Sequence, residues 1–289
     1  MSKALCSAAL AATTTTSAPR GGISLGLLAV GMCVLTGWVI VRILRLEKLF
    51  LRRVPGRKNQ IHVLHLLALF LVYFFAPPLA ASALATAMGA ELAQGQELPM
   101  EVRLPAMIFG QLVLIGGALT VASMSFRHGL RRGLGLSPRH SLCDAGRGLV
   151  GYLAVFPLCY LALYVTWRLI PSEWVTMHPV LTFVPAASPA WVSLVVISAV
   201  VLAPVAEELF YRGLVQSMLR GHELSPWPAI LITSGLFALS HASQLQDMPA
   251  LFVLALALGY NYERTGRLIA PMVLHAVFNA VSIWSMLAG

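Results

Sequence analysis

Val200-Val201-Leu202-Ala203-Pro204-Val205-Ala206-Glu207-Glu208-Leu209-Phe210-Tyr211-Arg212 is an apolar run broken by two adjacent carboxylates and, four residues after the second, a guanidinium. An ionisable side chain at membrane depth costs on the order of 3 kcal/mol or more, so it is kept where it faces a partner, a polar cavity or a reaction. The surroundings decide whether this run is membranous. Of 289 residues, 58% are hydrophobic and 11% charged, with a mean hydropathy of +0.80, against roughly 25% charged residues in a soluble domain. No stretch between the apolar segments is long enough to build a separate core. The expected fold is therefore all-α, a polytopic bundle of transmembrane helices and an integral membrane protein.

Working outward, apolar runs near the 20 residues or so that a bilayer core requires occupy Ile23 to Leu44, Ile61 to Met88, Leu104 to Met124, Leu149 to Ile170 and Ala190 to Leu219. Shorter runs follow at Trp227 to His241, Pro249 to Tyr262 and Leu268 to Leu287, giving about eight spans, with the sixth and seventh enclosed by their neighbours. Residues 1–22 are small and polar and read as a disordered tail. Residues 23–189 form the N-terminal helices, and residues 190–289 hold the functional core. Pro77-Pro78 and Pro204 are expected to kink or open their helices.

The formal charge is +9, but its distribution points to membrane topology rather than to nucleic acid. Seven of the 20 Lys and Arg lie between Arg42 and Lys58, and five between Arg127 and Arg147. Positive-inside sorting makes both loops cytoplasmic and places both termini outside, in the cell membrane if the source is bacterial. The four cysteines show neither a zinc-knuckle nor a disulfide pattern. His62 and His65 read as interfacial histidines, because no carboxylate lies near them in sequence.

Polar residues inside the apolar runs concentrate in the second half. Glu208 and Arg212 are i,i+4 and share a helix face, leaving Glu207 about 100° away from them. Phe237 and His241 are i,i+4 in the sixth run, and His275 and Asn279 in the eighth. At 1.5 Å per residue from the cytoplasmic ends, Glu207 lies about 18 Å inward, His241 about 21 Å, His275 about 10 Å and Asn279 about 16 Å. One layer can hold all four. A carboxylate beside an imidazole can deprotonate water, and a second imidazole with an amide can donate hydrogen bonds to a developing oxyanion. Asn279 as interhelical glue is the bland alternative.

The string Glu207-Glu208-Leu209-Phe210-Tyr211-Arg212 resembles the EExxxR motif of the CPBP intramembrane proteases, the CAAX-processing and bacteriocin-processing group also called the Abi family. Phe237-Ala238-Leu239-Ser240-His241 resembles its FxxxH motif and His275-Ala276-Val277-Phe278-Asn279 its HxxxN motif, in the same order. The stretch Gly259 to Pro271 is similar to the linker before the last motif. The resemblance covers about residues 190–289. It implies that Glu207 and His241 activate the attacking water, that His275 and Asn279 form the oxyanion site, and that Glu208 with Arg212 holds the glutamate helix. The implied substrate is a membrane-held peptide or a lipid-anchored protein tail, and the implied mechanism requires no metal or other cofactor. Zinc on Glu207, His241 and His275 is the alternative that the donor types leave open, although HExxH is absent. Two other classes also accommodate buried Glu and His: an ion-coupled transporter or proton relay, and a non-catalytic immunity or scaffold protein.

Overall fold

A computed structural model of the chain describes residues 22–44, 51, 59–89, 98–176, 180, 183–184 and 187–287. The tail expected at residues 1–22 lies outside them except for Gly22, as do most of the first basic loop and the acidic segment containing Glu91 and Glu97. The described helices are α1 (Gly22–Leu44), α2 (Val63–Ala87), α3 (Met100–Ser125), the single turn α4 (Gly129–Gly133), α5 (Ser141–Leu169), α6 (Pro189–Gly221), α7 (Pro226–Leu239), α8 (Met248–Thr265) and α9 (Ile269–Leu287). No strand is present among the described residues.

Eight of these helices fall on the eight expected runs. Four segments, Val63–Ala87, Met100–Ser125, Gly129–Leu169 and Pro189–Gly221, are long and apolar enough to cross a membrane, while Leu25–Val41, Pro226–Leu239 and Ile269–Ser285 are shorter apolar helices. Length and composition thus mark four crossings rather than eight. The shorter elements survive by enclosure: Ile230 and Phe237 of α7 and Leu254, Ala255 and Leu258 of α8 are fully buried. The outer surface is apolar, with Phe74, Leu79, Met124 and Leu142 exposed. Soluble proteins seldom expose contiguous apolar patches above a few hundred Å², so lipid is the solvent this surface suits.

Three local features position the site. First, α6 is not a uniform α-helix: Ile197–Leu202 and Leu209–Gln216 are π-helical, flanking an α turn at Ala203–Glu208. Pro204 supplies a cause for the first widening, because a proline ring collides with the carbonyl four residues earlier and donates no hydrogen bond. Second, Gly110 of α3 admits the ring of Pro77 from α2, since a Cβ there would sit 2.5 Å from the proline Cγ. The expected opening is thus seen beside Pro204, whereas α2 runs as one α-helix through Pro77 and Pro78, with Pro77 packed on Gly110. Third, the His62 side chain accepts from the Leu64 N–H while His65 accepts from the His62 N–H, so this pair caps the start of α2. The α5 helix begins at Ser141 rather than near Leu149, because Asp144 in its first turn is fully buried and ion-paired.

Candidate active site

Glu208 and Arg212 pair as their spacing predicts. Both side chains are fully buried, and Arg212 Nη1 donates to Glu208 Oε1 at 2.7 Å. The guanidinium also donates through Nη2 to the Ala255 carbonyl at 3.1 Å, which ties α6 to α8, and it lies 5.1 Å from the centroid of the Phe237 ring. Phe237 is itself fully buried between the two histidines, with ring centroids 5.0 Å from His241 and 5.7 Å from His275. Burying such a pair gains little net energy, but leaving one partner alone would be costly. The pair therefore fixes geometry more than it adds stability.

His275 joins the two glutamates. Its Nδ1 lies 3.0 Å from Glu208 Oε1; a carboxylate only accepts, so Nδ1 carries the proton and donates. Its Nε2 then faces Glu207 Oε2 at 3.7 Å, beyond hydrogen-bond length. The sequence reading assigned His275 to the oxyanion site with Asn279. The structure places it beside both members of the glutamate pair.

His241 follows the end of α7 rather than continuing it, since the helix stops at Leu239. The reason is local: the Phe237 carbonyl is satisfied by side chains, by His241 Nδ1 at 2.9 Å and by Ser240 Oγ at 2.8 Å. A carbonyl cannot donate, so Nδ1 again holds the proton and Nε2 retains the ring's lone pair. Beyond this turn, burial raises the carboxyl of Asp247 above the ordinary aspartate range, partly offset by nearby His241 and by a hydrogen bond from Gln246.

Glu207 and His241 line one cavity of about 70 Å³, together with Phe70 and Tyr73 of α2, Leu114 of α3, Phe210 and Tyr211 of α6, and Ser240. Liquid water occupies about 30 Å³ per molecule, so the space has room for about two waters. Glu207 Oε2 is buried without a hydrogen-bond partner among the described residues. Asn279 stands apart from this cavity, where its side-chain amide donates to the Ala199 carbonyl at 2.8 Å. That carbonyl belongs to the first π segment of α6.

Comparison with known proteins adds one match. The family described as type II CAAX prenyl endopeptidase Rce1-like matches residues 189–281. This segment is Rce1-like. It contains Glu207, Glu208, Arg212, Phe237, His241, His275 and Asn279, and it supports a CAAX-type intramembrane protease in general terms. No curated protein and no solved structure matches the chain.

Two parts of the arrangement escaped sequence reasoning. The cavity wall from α2 and α3 lies outside the Rce1-like segment, and Tyr73 sits in the run Leu71-Val72-Tyr73-Phe74-Phe75, where one aromatic carries no signal. The widening of α6 had only Pro204 as its signal. As for a metal, no group of three or more His, Cys, Asp or Glu among the described residues is placed to hold one. His275 Nδ1 donates to Glu208 and His241 Nδ1 to a backbone carbonyl, bonds that fix both rings and leave each Nε2 facing away from them.

Proposed function

We propose that the chain is a multi-pass intramembrane endopeptidase that hydrolyses a peptide bond in a membrane-held substrate, with a prenylated or otherwise lipid-anchored C-terminal tail as the substrate class. The observation carrying this reading is that Glu207 of α6 and His241, just beyond α7, line the same small cavity while Glu207 Oε2 has no hydrogen-bond partner among the described residues. The Rce1-like match over 189–281 supports the same reaction class. Phe70 lines the cavity and is also 40% exposed on the apolar surface of α2, which favours a substrate arriving from the lipid side. The basic loops face the cytoplasm and both termini lie outside.

In this mechanism the Glu207 carboxylate takes a proton from a water whose other hydrogen is held by the His241 Nε2 lone pair. The water oxygen bonds to the scissile carbonyl carbon, and the carbonyl π pair moves onto oxygen. His275 and Asn279 supply donors to that oxyanion. Asn279 has a second amide hydrogen besides the one given to Ala199. Donation from both ring nitrogens makes His275 an imidazolium, whose charge Glu207 offsets while Arg212 offsets Glu208. The oxyanion then collapses, the carbon–nitrogen bond breaks, and Glu207 returns its proton to the leaving amine. Glu208 and Arg212 take no part in the bond changes and hold the frame. No step is routed through a metal.

The test is cleavage of a lipid-anchored peptide by the reconstituted protein and by Glu207→Gln. The expected result is loss of cleavage with unchanged helical content and thermal unfolding. A cleaving Glu207→Gln protein would overturn the assignment, and membranes compared for new protein termini with either form would identify the substrate.

A further inference from the structure

Opposite in character to the small active-site cavity is an open groove of about 590 Å³ lined by Arg131, Arg132, Gly135, Ser137, Thr265, Gly266 and Arg267. Positive-inside sorting explains why arginines lie at this end of the bundle. It does not explain why the adjacent Arg131 and Arg132 and the distant Arg267 line a single groove of a size typical for a small-molecule site.

The groove is built rather than incidental. Gly266 adopts φ 63°, ending α8 in the left-handed region, and the Thr265 hydroxyl receives the Arg267 N–H at 3.1 Å. Arg267 is held on the Asp144 carboxylate by two parallel donors, one of them Nη2 to Oδ1 at 2.7 Å, and Asp144 is fully buried. Arg147 adds a third bond to that carboxylate at 2.9 Å. This cluster pins the turn between α8 and α9 to the start of α5. Its single negative charge is spent on Arg147 and Arg267. Arg131 and Arg132 are exposed and have no ion pair among the described residues. Ser137 supplies a hydroxyl group beside them, while that of Thr265 is held by the Asn261 carbonyl at 2.8 Å.

We propose that this groove binds a phosphate-bearing anion, namely a phosphate mono- or diester carried by a phospholipid headgroup or by a soluble molecule. Guanidinium groups match phosphate oxygens with two parallel donors. Basic pockets between membrane helices are suited to headgroups of anionic lipids, which are concentrated in the cytoplasmic leaflet. The groove lies between the end of α4, the turn leading to α5 and the turn from α8 to α9, on the side that positive-inside sorting makes cytoplasmic. This binding does not depend on the protease reading.

The experiment is native mass spectrometry of the full chain titrated with phosphatidylglycerol, with phosphatidylcholine and with inorganic phosphate. Wild type and R131Q/R132Q are compared at low and at physiological salt. Each basic residue near an anionic lipid surface strengthens binding about fivefold, so the double variant should bind phosphatidylglycerol about thirtyfold more weakly. Its binding of phosphatidylcholine should not change. Competition by inorganic phosphate assigns the site to a soluble phosphate ester, and failure to compete assigns it to the lipid headgroup. R131K/R132K, which keeps both charges but loses the forked donors, should retain an intermediate affinity and serves if the glutamine variant fails to fold. Equal retention of phosphatidylglycerol by wild type and the glutamine variant, or equal binding of the two lipids by wild type, overturns the proposal.

Discussion

Replacing Arg212 by Met should destabilise the protein strongly, and replacing Glu208 as well should restore much of the loss. Both side chains are fully buried, and the guanidinium makes three contacts: Glu208 Oε1 at 2.7 Å, the Ala255 carbonyl at 3.1 Å and the face of Phe237. Removing one member of a buried ion pair leaves an uncompensated charge and costs about 3 to 5 kcal/mol. Arg212→Met strands the Glu208 carboxylate on His275 alone, and Glu208→Gln strands the guanidinium, so each single variant should fall in that range. In the double variant no charge is stranded. The remaining losses are the hydrogen bond to Ala255, worth about 1.5 to 3 kcal/mol when the donor is charged, and part of the His275 contact. The double variant should therefore be less destabilised than the sum of the singles by about 3 kcal/mol or more. Reversible unfolding in mixed micelles, followed by helical circular dichroism, measures the three free energies. Additive single effects, or an Arg212→Met cost below about 1 kcal/mol, would refute the view that this pair is a closed structural unit separate from Glu207.

Asn279→Ala should cost about 1 kcal/mol of stability through the lost bond to Ala199. It should also lower kcat about a hundredfold through the lost oxyanion donor, and unchanged kcat in a proteoliposome assay would leave only the interhelical role. Gly110→Ala places a methyl 2.5 Å from the Pro77 Cγ, whose ring cannot swing aside. Overpacking of this kind costs about 1 to 3 kcal/mol, read as a lowered unfolding midpoint. Asp247→Asn tests a titration outside the spans. Because burial raises the folded carboxyl above its unfolded value, the wild-type contribution is fully present below the unfolded value and is lost as pH rises through the folded one. Thermal melts should then show Asp247→Asn gaining stability relative to wild type on going from acidic to neutral pH, and a constant difference would contradict the burial argument.

Much of this arrangement was legible because lipid makes polar side chains conspicuous. The positions of the helices followed from runs of apolar residues, and the Glu208–Arg212 pair followed from i,i+4 spacing. What resisted reading depended on partners far away in sequence. Asp144 fell in the basic loop before the run at Leu149, yet Arg267, over a hundred residues later, neutralises it and lets α5 begin earlier. Phe70, Tyr73 and Leu114 wall the cavity from helices whose own sequences contain no motif. The bond from His275 to Glu208 was not foreseen, because spacing reports which residues share a face and not which atom on another helix meets it.

The π-helical turns connect these observations. An α-helix satisfies each backbone carbonyl four residues on, so its interior offers nothing to a side chain from a neighbour. Widening α6 around Pro204 changes that pattern, and it is within the widened segment that the Asn279 amide finds the Ala199 carbonyl and that Ser198 donates to Gln111 of α3 at 3.1 Å. The second widened segment, starting at Leu209, follows directly on the two glutamates, and within it the Arg212 carbonyl accepts from Ser217 at 3.2 Å. Glu207 and Glu208 therefore occupy the α-helical turn between two widened turns, the first bonded to α9 and α3 and the second, through the Arg212 and Gln216 side chains, to α8. Adjacent side chains on such a turn are held about 100° apart, which sends Glu208 to Arg212 and leaves Glu207 for the cavity. The two carboxylates can coexist in an apolar bundle because the backbone between the widened turns separates their environments: one is buried and neutralised, and the other is beside the space where water can act.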